Sequence, residues 1–224
     1  MDVPKVAEKY FEDKKKSIID ATMRVCKSKP VYAVTLRDVA REAKISTGGI
    51  YNYFSSIDEI FARIVNAAHD GSFSREITDI FSSDFPPERI VIESFAAIGR
   101  MMDSLYKHFG SMFNELAHIY TADAERRKNM EGLTKINEEL SVFYKNLDSL
   151  IDTGISNGRF KTNIPKSHIL FMVANAIESL DDGIGFIIDN AERFDVEMKQ
   201  GMAAEGMMTA LANIVIDLLH INKG

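Results

Sequence analysis

The chain has 224 residues, of which 46% are hydrophobic and 27% are charged, and these fractions are typical of a globular protein. It contains no run of about eighteen apolar residues, which argues against a membrane-spanning helix. No apolar run follows the charged N-terminal residues, and Cys26 is the only cysteine, so we expect neither a secretory signal nor an intramolecular disulfide. These features predict a cytoplasmic protein.

The net charge of −6 is unevenly distributed along the chain. Residues 1–65 carry 12 basic and 9 acidic side chains, whereas residues 66–224 carry 15 basic and 24 acidic ones. The N-terminal part (the head, residues 1–65) is thus mildly basic, and the remainder (the body, residues 66–224) is acidic. This distribution is expected of a protein that presents one end to phosphate groups.

The first predicted helix covers about residues 14–28, after a charged N-terminal arm (residues 1–13), and ends before Pro30. A second, short helix follows, because Thr35 is a suitable N-cap and Asp38 lies three positions after it. Its apolar positions recur at i, i+3, i+4 and i+7 and form one face: Leu36, Val39, Ala40 and Ala43.

A third helix begins after a tight turn, with Ser46 or the residue after it as the N-cap. Gly48 and Gly49 occupy its first turn, although glycine is unfavourable in helices. They are explained if the wall of a DNA groove must approach this backbone closely. Ile50 and Phe54 supply the buried side. The pattern predicts a helix-turn-helix, whose second helix enters the major groove; the alternative is a helical corner inside an all-α protein.

Residues 10–65 resemble the DNA-binding part of the TetR family of one-component transcriptional regulators. Three segments carry the resemblance: Lys15–Cys26, Thr35–Ala40 and Ser46–Phe54. The resemblance implies a symmetric dimer, two DNA half-sites and a small-molecule pocket in the C-terminal part of the chain.

The helix-turn-helix suggests which residues contact operator DNA. Four residues are expected to face the base edges: Thr47, Gly48, Gly49 and Tyr51. Arg37 is expected to reach a base or a phosphate. The remaining candidates are expected on the phosphate side: Thr35, Lys44, Tyr53 and Ser55.

Two positions depart from the pattern of the family. Lys44 stands where a turn glycine is usual, so it must adopt the turn geometry at a cost unless the turn itself differs. Ile57 stands where a lysine often contacts phosphate. If the charge of Lys44 replaces this missing phosphate contact, Lys44→Ala should change the salt dependence of operator binding.

The rest of the chain is predicted to be helical. Residues 57–82 form a helix that links head to body, and Pro87 begins the next helix after a break. Helices then follow at about residues 87–108, 111–121, 122–156, 165–189 and 195–220. We therefore expect an all-α protein of about nine helices, with a DNA-binding domain at 1–65 and an effector-binding and dimerisation domain at 66–224.

The last two predicted helices, 165–189 and 195–220, are apolar on more than one side. Such a pair needs a second partner besides its own core, and the resemblance implies a four-helix homodimer interface. The alternative is that both are ordinary core helices.

Chemical motifs are sparse. Glu115 and His118 have an i, i+3 spacing found in metal-binding helical bundles, but a second such pair is missing from the sequence. Neither a phosphate-binding loop nor a nucleophile motif is present, so we expect no metal, no cofactor and no enzymatic activity. Cys26 lies on an apolar stripe and is expected to be a buried structural thiol.

A ligand pocket is predicted between helices of residues 66–224, where methionine and aromatic residues cluster, although for any single one of them ordinary core packing is the favoured alternative. The apolar candidates are Phe95, Met102, Met112, Phe113, Leu116, Tyr120, Phe143 and Phe171. The polar candidates are His118, Asn175 and Glu178. We expect an apolar or amphipathic effector.

Together these patterns predict a dimeric repressor that a small molecule releases from double-stranded operator DNA. Two alternatives remain open: a helical small-molecule-binding protein without specific DNA readout, and a helical metalloenzyme.

Overall fold

The computed structural model describes residues 5–68, 70–110, 112–129, 135–189 and 203–219. These residues are largely helical and contain no strand, which confirms the all-α prediction. In chain order the helices are α1 (Lys5–Cys26), α2 (Leu36–Glu42), α3 (Thr47–Ile50), α4 (Ile57–Ala68), α5 (Ser72–Phe81), α6 (Pro87–Phe109), α7 (Met112–Ala122), α8 (Ala124–Asn129), α9 (Lys135–Ser156), α10 (Lys166–Asp189) and α11 (Ala204–Leu218). None of these described helices combines the length and apolar character that a membrane crossing requires.

The described helices differ from the predicted ones in three places. The first begins at Lys5 instead of about residue 14, so most of the predicted arm is helical. The predicted helix 57–82 is two helices, because Gly71 has a left-handed φ of 78° at the start of α5. Of the predicted helix 122–156, the structure describes α8 and α9, and residues 130–134 lie outside the described residues. The described residues thus contain eleven α-helices, against about nine predicted for the chain. The predicted start of the last helix, residues 195–202, lies outside the described residues.

The chain divides into two compact units. The first unit comprises residues 1–68 and 112–134, and the second comprises residues 69–111 and 135–224. The predicted functional division into 1–65 and 66–224 stays a prediction, but the packing assigns residues 112–134 to the N-terminal unit.

The core of the first unit is built from the apolar faces of α1, α2, α3 and α4. Ile50 and Phe54 are buried, as the spacing of the sequence predicts. They share the core of this unit with Ile18, Ala21, Val39, Ala40, Ile60, Phe61 and Ile64.

Two polar contacts explain why α7 and α8 belong to the first unit. The Arg126 guanidinium donates from Nε (3.0 Å) and Nη2 (2.6 Å) to Oδ1 of Asp58, a buried carboxylate in the first turn of α4. The Val31 amide donates to Oε2 of Glu115 at 2.8 Å. Because a buried ion pair is costly to separate, Arg126 ties α8 firmly to α4.

In the second unit, α5, α6, α9, α10 and α11 enclose a continuous apolar core. Phe95 and Phe143 meet at its centre in an edge-to-face contact, with ring centroids 5.3 Å apart. Helix α6 also approaches the start of α11 closely, because a Cβ on Gly99 would collide with the backbone of Glu205. The Asp103 carboxylate accepts hydrogen bonds there from the amides of Ala204 (2.9 Å) and Glu205 (3.2 Å) and so caps α11.

Candidate nucleic-acid interface

The start of α2 is fixed by a capping box. Thr35 Oγ1 accepts the Asp38 amide at 3.2 Å, and the Thr35 amide donates to Asp38 Oδ2 at 3.1 Å. Lys29 (2.6 Å) and Arg41 (3.0 Å) also donate to this carboxylate. Hydrogen bonds from Lys29 and then from Thr35 lower the pKa of Asp38 to about 2, so the carboxylate stays charged and holds Thr35 in place.

The turn after α2 ends the helix with a left-handed residue. Lys44 has a φ of 56° and is the one non-glycine residue with positive φ among the described residues. The Ile45 amide then donates to the Ala40 carbonyl at 3.0 Å, which satisfies a carbonyl of the last turn. Lys44 therefore adopts the geometry that a glycine usually supplies, at an energetic cost, and its side chain is exposed.

The first turn of α3 lies on the surface of its unit. Ser46 caps it, with Oγ accepting the Gly49 amide at 3.0 Å. Thr47 and Gly48 are exposed, and a Cβ on Gly48 would meet no described atom within 4 Å. Tyr51 follows directly and is 59% exposed. The helix thus presents a backbone without bulky side chains, beside an aromatic ring that faces outward.

The segment after α3 is held by local hydrogen bonds. Both the amide and the hydroxyl of Ser55 donate to Oε2 of Glu59 at 2.7 Å, and Ser56 Oγ accepts the Glu59 amide at 3.1 Å. Tyr53 is half-buried, with its ring centroid 4.9 Å from that of Phe11. This contact of Phe11 was not predicted, because the charged residues 1–13 were expected to form an arm outside the first helix.

None of the nine predicted DNA-contacting residues is buried. All nine lie in the first unit. The half-buried ones are Gly49 and Tyr53, and the seven exposed ones are Thr35, Arg37, Lys44, Thr47, Gly48, Tyr51 and Ser55. Ile57 is half-buried where the resemblance leads one to expect a lysine. The individual contacts to DNA stay predictions.

The predicted ligand-pocket residues fall into three groups. Three are buried in the core of the second unit: Phe95, Met102 and Phe143. Three are buried in the first unit: Met112, Phe113 and Leu116. On α10, Phe171 is 68% exposed, and Asn175 and Glu178 are exposed as well, so these three do not line the interior of their unit. The reason is that α10 is apolar on two faces, of which one is buried in the described chain.

The other two pocket candidates lie on α7. His118 is exposed, and Tyr120 is half-buried. The Tyr120 hydroxyl donates to Oδ1 of Asp58 at 3.3 Å, and burial together with the negative charge of Asp58 raises the pKa of Tyr120. Tyr120 therefore belongs to the polar network that joins α7 and α8 to α4.

Metal binding and thiol chemistry find little support in the parts of the chain that are described. Among those residues, no group of three or more histidine, cysteine, aspartate or glutamate side chains is arranged to hold a metal ion. Burial, and then the charge of Glu115, raise the pKa of the Cys26 thiol to about 11. The thiolate that redox chemistry requires is accordingly scarce near neutral pH.

Comparison with known proteins agrees with this interface. The family described as bacterial regulatory proteins, tetR family, matches residues 18–64, which include the whole helix-turn-helix. The uncharacterized HTH-type transcriptional regulator YfiR of Bacillus subtilis (strain 168) is 28% identical over 197 residues, which are 87% of each chain.

Two solved structures share the fold along nearly the full length. One is the TetR family transcriptional regulator PfmR from Thermus thermophilus, with a TM-score of 0.60, 16% identity, and coverage of 92% of this chain and 99% of that one. The other is the transcriptional regulator FadR from Bacillus subtilis in complex with stearoyl-CoA, with a TM-score of 0.51, 23% identity, and coverage of 92% and 97%. The family match over residues 18–64, the relative and the shared fold agree with the exposed, capped helix-turn-helix, and together they support a TetR family transcriptional regulator.

Proposed function

We propose that this regulator is a repressor that binds operator DNA as a homodimer and leaves it when a small amphipathic effector binds. The observation that carries the DNA-binding part is the exposed first turn of α3. Gly48 leaves open space there, and Tyr51 projects from the surface beside it. A groove wall can approach such a backbone without a steric clash, while Thr47 and Tyr51 offer hydrogen-bonding groups to base edges.

The homodimer is supported by exposed apolar surface on the last two described helices. On α10 the exposed large apolar side chains are Phe171, Met172 and Phe186, and on α11 Ile214 is exposed. Gly206 and Ala210 lie on the exposed side of α11, where small residues permit close helix packing. A two-fold contact through these faces would bury this apolar surface and supply the two reading heads that a palindromic operator needs.

The effector class is proposed from both the chain and its relatives. The core of the second unit is rich in aromatic and methionine side chains, which adapt to irregular apolar ligands. The structure of Bacillus subtilis FadR, which shares the fold, contains stearoyl-CoA. Long-chain acyl thioesters are therefore the first effectors to test. Release from DNA requires that the effector binds the released arrangement more tightly than the DNA-bound one.

Footprinting on the DNA that flanks the gene of this protein tests the function directly. We expect the protein to protect a palindromic DNA sequence, and we expect this protection to disappear when stearoyl-CoA is added. Free coenzyme A, which lacks the acyl chain, is the control for the polar part of the ligand. Protection that persists with every acyl chain would contradict this effector class. Binding of an acyl thioester without protection of any DNA would favour a ligand-binding protein that does not read DNA.

Tyr51→Ala tests the reading residue itself. Because Tyr51 is exposed, its loss should leave the fold and the dimer intact but weaken specific binding by about 100-fold, toward the non-specific level. The measurements are fluorescence anisotropy on the footprinted duplex and light scattering for the dimer. Phe85→Ala, an exposed aromatic of the second unit, is the matched control and should bind as the wild type does. Retained tight and specific binding by Tyr51→Ala would count against the assigned interface.

A further inference from the structure

The first helix extends well beyond the segment that matches the family. The match begins at residue 18, whereas α1 begins at Lys5. The described side chains of this extension, residues 9–16, are mostly charged, with Tyr10 and Phe11 as the exceptions. An aromatic residue on a solvated, charged end of a helix contributes little to a hydrophobic core. The presence of Phe11 there is therefore explained by the side chain that it contacts.

The ring that Phe11 contacts is that of Tyr53, in the second half of the helix-turn-helix (the recognition segment, residues 46–54). The ring of Phe11 lies 4.9 Å from the ring of Tyr53, with 34° between the ring planes. This distance lies within the range of favourable aromatic pairs. Tyr10, the neighbouring aromatic, points elsewhere: it is 60% exposed, and the ammonium of Lys14 lies 5.7 Å from its ring centroid. Phe11 is 38% exposed, so its contact with Tyr53 is made at the surface.

The ring of Phe11 also contacts a cation. The ammonium of Lys15 lies 4.6 Å from the ring centroid of Phe11, within cation–π distance. Its side chain is only 14% exposed, and it pairs with Glu12 at 3.3 Å. Burial raises the pKa of Glu59, but hydrogen bonds from Ser55 and the charges of Arg63 and Lys15 lower it overall.

The need for such support follows from the shortness of α3. The helix has four residues, and the turn is continued by the amides of Tyr53 (2.8 Å) and Phe54 (3.0 Å), which both donate to the Ile50 carbonyl. A single turn gives little stability of its own, and α3 is held by the burial of Ile50 and Phe54 in the core of the first unit. The ring of Tyr53 is only half-buried, and its contact with Phe11 limits the orientations that it can adopt.

We propose that Phe11 and Lys15 are positioning residues for operator binding, and that they form a clamp from the α1 extension that holds the Tyr53 ring toward the DNA backbone. This inference rests on the proposed DNA-binding function. It assigns to residues 9–16 a part in DNA binding that lies outside the segment matched by the family. The clamp acts through Tyr53, because Lys15 is largely covered and its charge is engaged within the chain.

A double-mutant cycle tests the clamp. Operator affinity is measured by fluorescence anisotropy, on the duplex that the wild type protects, for Phe11→Ala, Tyr53→Ala and the double variant. We expect Phe11→Ala to weaken binding by about fivefold, the size of one aromatic contact. In the Tyr53→Ala background the same change should cost less than about twofold, because the partner ring is already absent.

Matched variants separate the clamp from general effects on the fold. Tyr10→Ala removes the adjacent, more exposed aromatic and should bind within about twofold of the wild type. Phe11→Tyr keeps the ring and should restore binding, whereas Phe11→Leu keeps apolar bulk in the helix and should not. Thermal unfolding followed by circular dichroism checks each variant, and the comparison of Phe11→Tyr with Phe11→Leu still decides the matter if Phe11→Ala fails to fold.

Lys15→Gln distinguishes positioning from direct phosphate contact. A positioning role predicts weaker binding with an unchanged slope of log affinity against log salt, whereas a direct phosphate contact lowers that slope by about one. The proposal is overturned if Phe11→Ala binds as the wild type does, if its loss is fully additive with that of Tyr53→Ala, or if Lys15→Gln lowers the slope by one. Failure of the wild type to bind any DNA specifically would instead remove the proposed function, and this inference with it.

Discussion

Gly48 in the first unit and Gly99 in the second both lie in helices, yet their surroundings are opposite. A Cβ on Gly48 would enter open space, whereas a Cβ on Gly99 would collide with the backbone of Glu205 in α11. The space at Gly99 is filled by the chain itself, and it permits two helices to cross closely. The space at Gly48 is open, and we propose that the wall of a DNA groove occupies it. The residue type is the same at both positions, and the structure distinguishes a glycine that packs against another helix from one that faces open space.

The same contrast holds for charged residues. Arg126 directs its charge inside the chain, to the buried carboxylate of Asp58. Arg37 in α2 and Lys44 in the turn before α3 have exposed side chains. We expect charged groups that are paired within the chain to contribute mainly to the free energy of unfolding, and exposed charged groups to contribute mainly to DNA binding. Variants at Arg126, Gly99, Gly48 and Lys44 test this separation.

Arg126→Ala should destabilise the first unit by about 3–5 kcal/mol, because it leaves Asp58 buried without its counter-charge. Urea unfolding followed by circular dichroism measures the loss. Arg41→Ala is the control, since its side chain is 79% exposed and its pair with Asp38 should contribute less than about 1 kcal/mol. A loss below about 1 kcal/mol for Arg126→Ala would show that α8 is not tied to α4 as described.

Gly99→Ala should destabilise the second unit by about 1–3 kcal/mol, since the new methyl group forces α6 and α11 apart. Gly48→Ala should leave the free energy of unfolding within about 0.5 kcal/mol of the wild type. It should nevertheless weaken operator binding by about tenfold, because the methyl group enters the space that the groove wall would occupy. Urea titrations measure the stability of both variants, and fluorescence anisotropy measures their operator binding. A Gly48→Ala variant that loses more stability than binding would contradict the proposed contrast between the two glycines.

Lys44→Gly should stabilise the first unit by about 0.5–1 kcal/mol, because the left-handed φ of 56° costs a lysine more than a glycine. If Lys44 supplies the phosphate contact that Ile57 cannot make, the same variant lowers the salt slope of operator binding by about one. Thermal unfolding and anisotropy over a range of salt concentrations measure the two effects separately. An unchanged slope would show that Lys44 does not compensate for Ile57.

Much of the interface could be predicted from the sequence because its signals are local. Thr35 and Ser46 each cap a helix through an amide three residues away, so the residues that decide the geometry are neighbours in the chain. The burial of Ile50 and Phe54 follows from their four-residue spacing in the same way.

Other features escaped prediction because they depend on residues far apart in the chain. Phe11 and Tyr53 are 42 positions apart, so the pattern around Phe11 shows only a charged arm with two aromatic residues. The buried pair of Asp58 and Arg126 spans 68 positions, and it moves α7 and α8 into the N-terminal unit. Phe171 was predicted to line a ligand pocket between the helices, and the structure shows it on an apolar face of α10 that the described chain leaves exposed.

The helix-turn-helix, its caps and the all-α class could be predicted from the amino-acid sequence alone, because each follows from hydrogen bonds and apolar spacing within a few residues. The packing of the helices, the open space at Gly48 and the contact between Phe11 and Tyr53 become visible only in the folded chain. Those outcomes depend on contacts between distant segments, and local pattern carries no information about which distant surfaces meet.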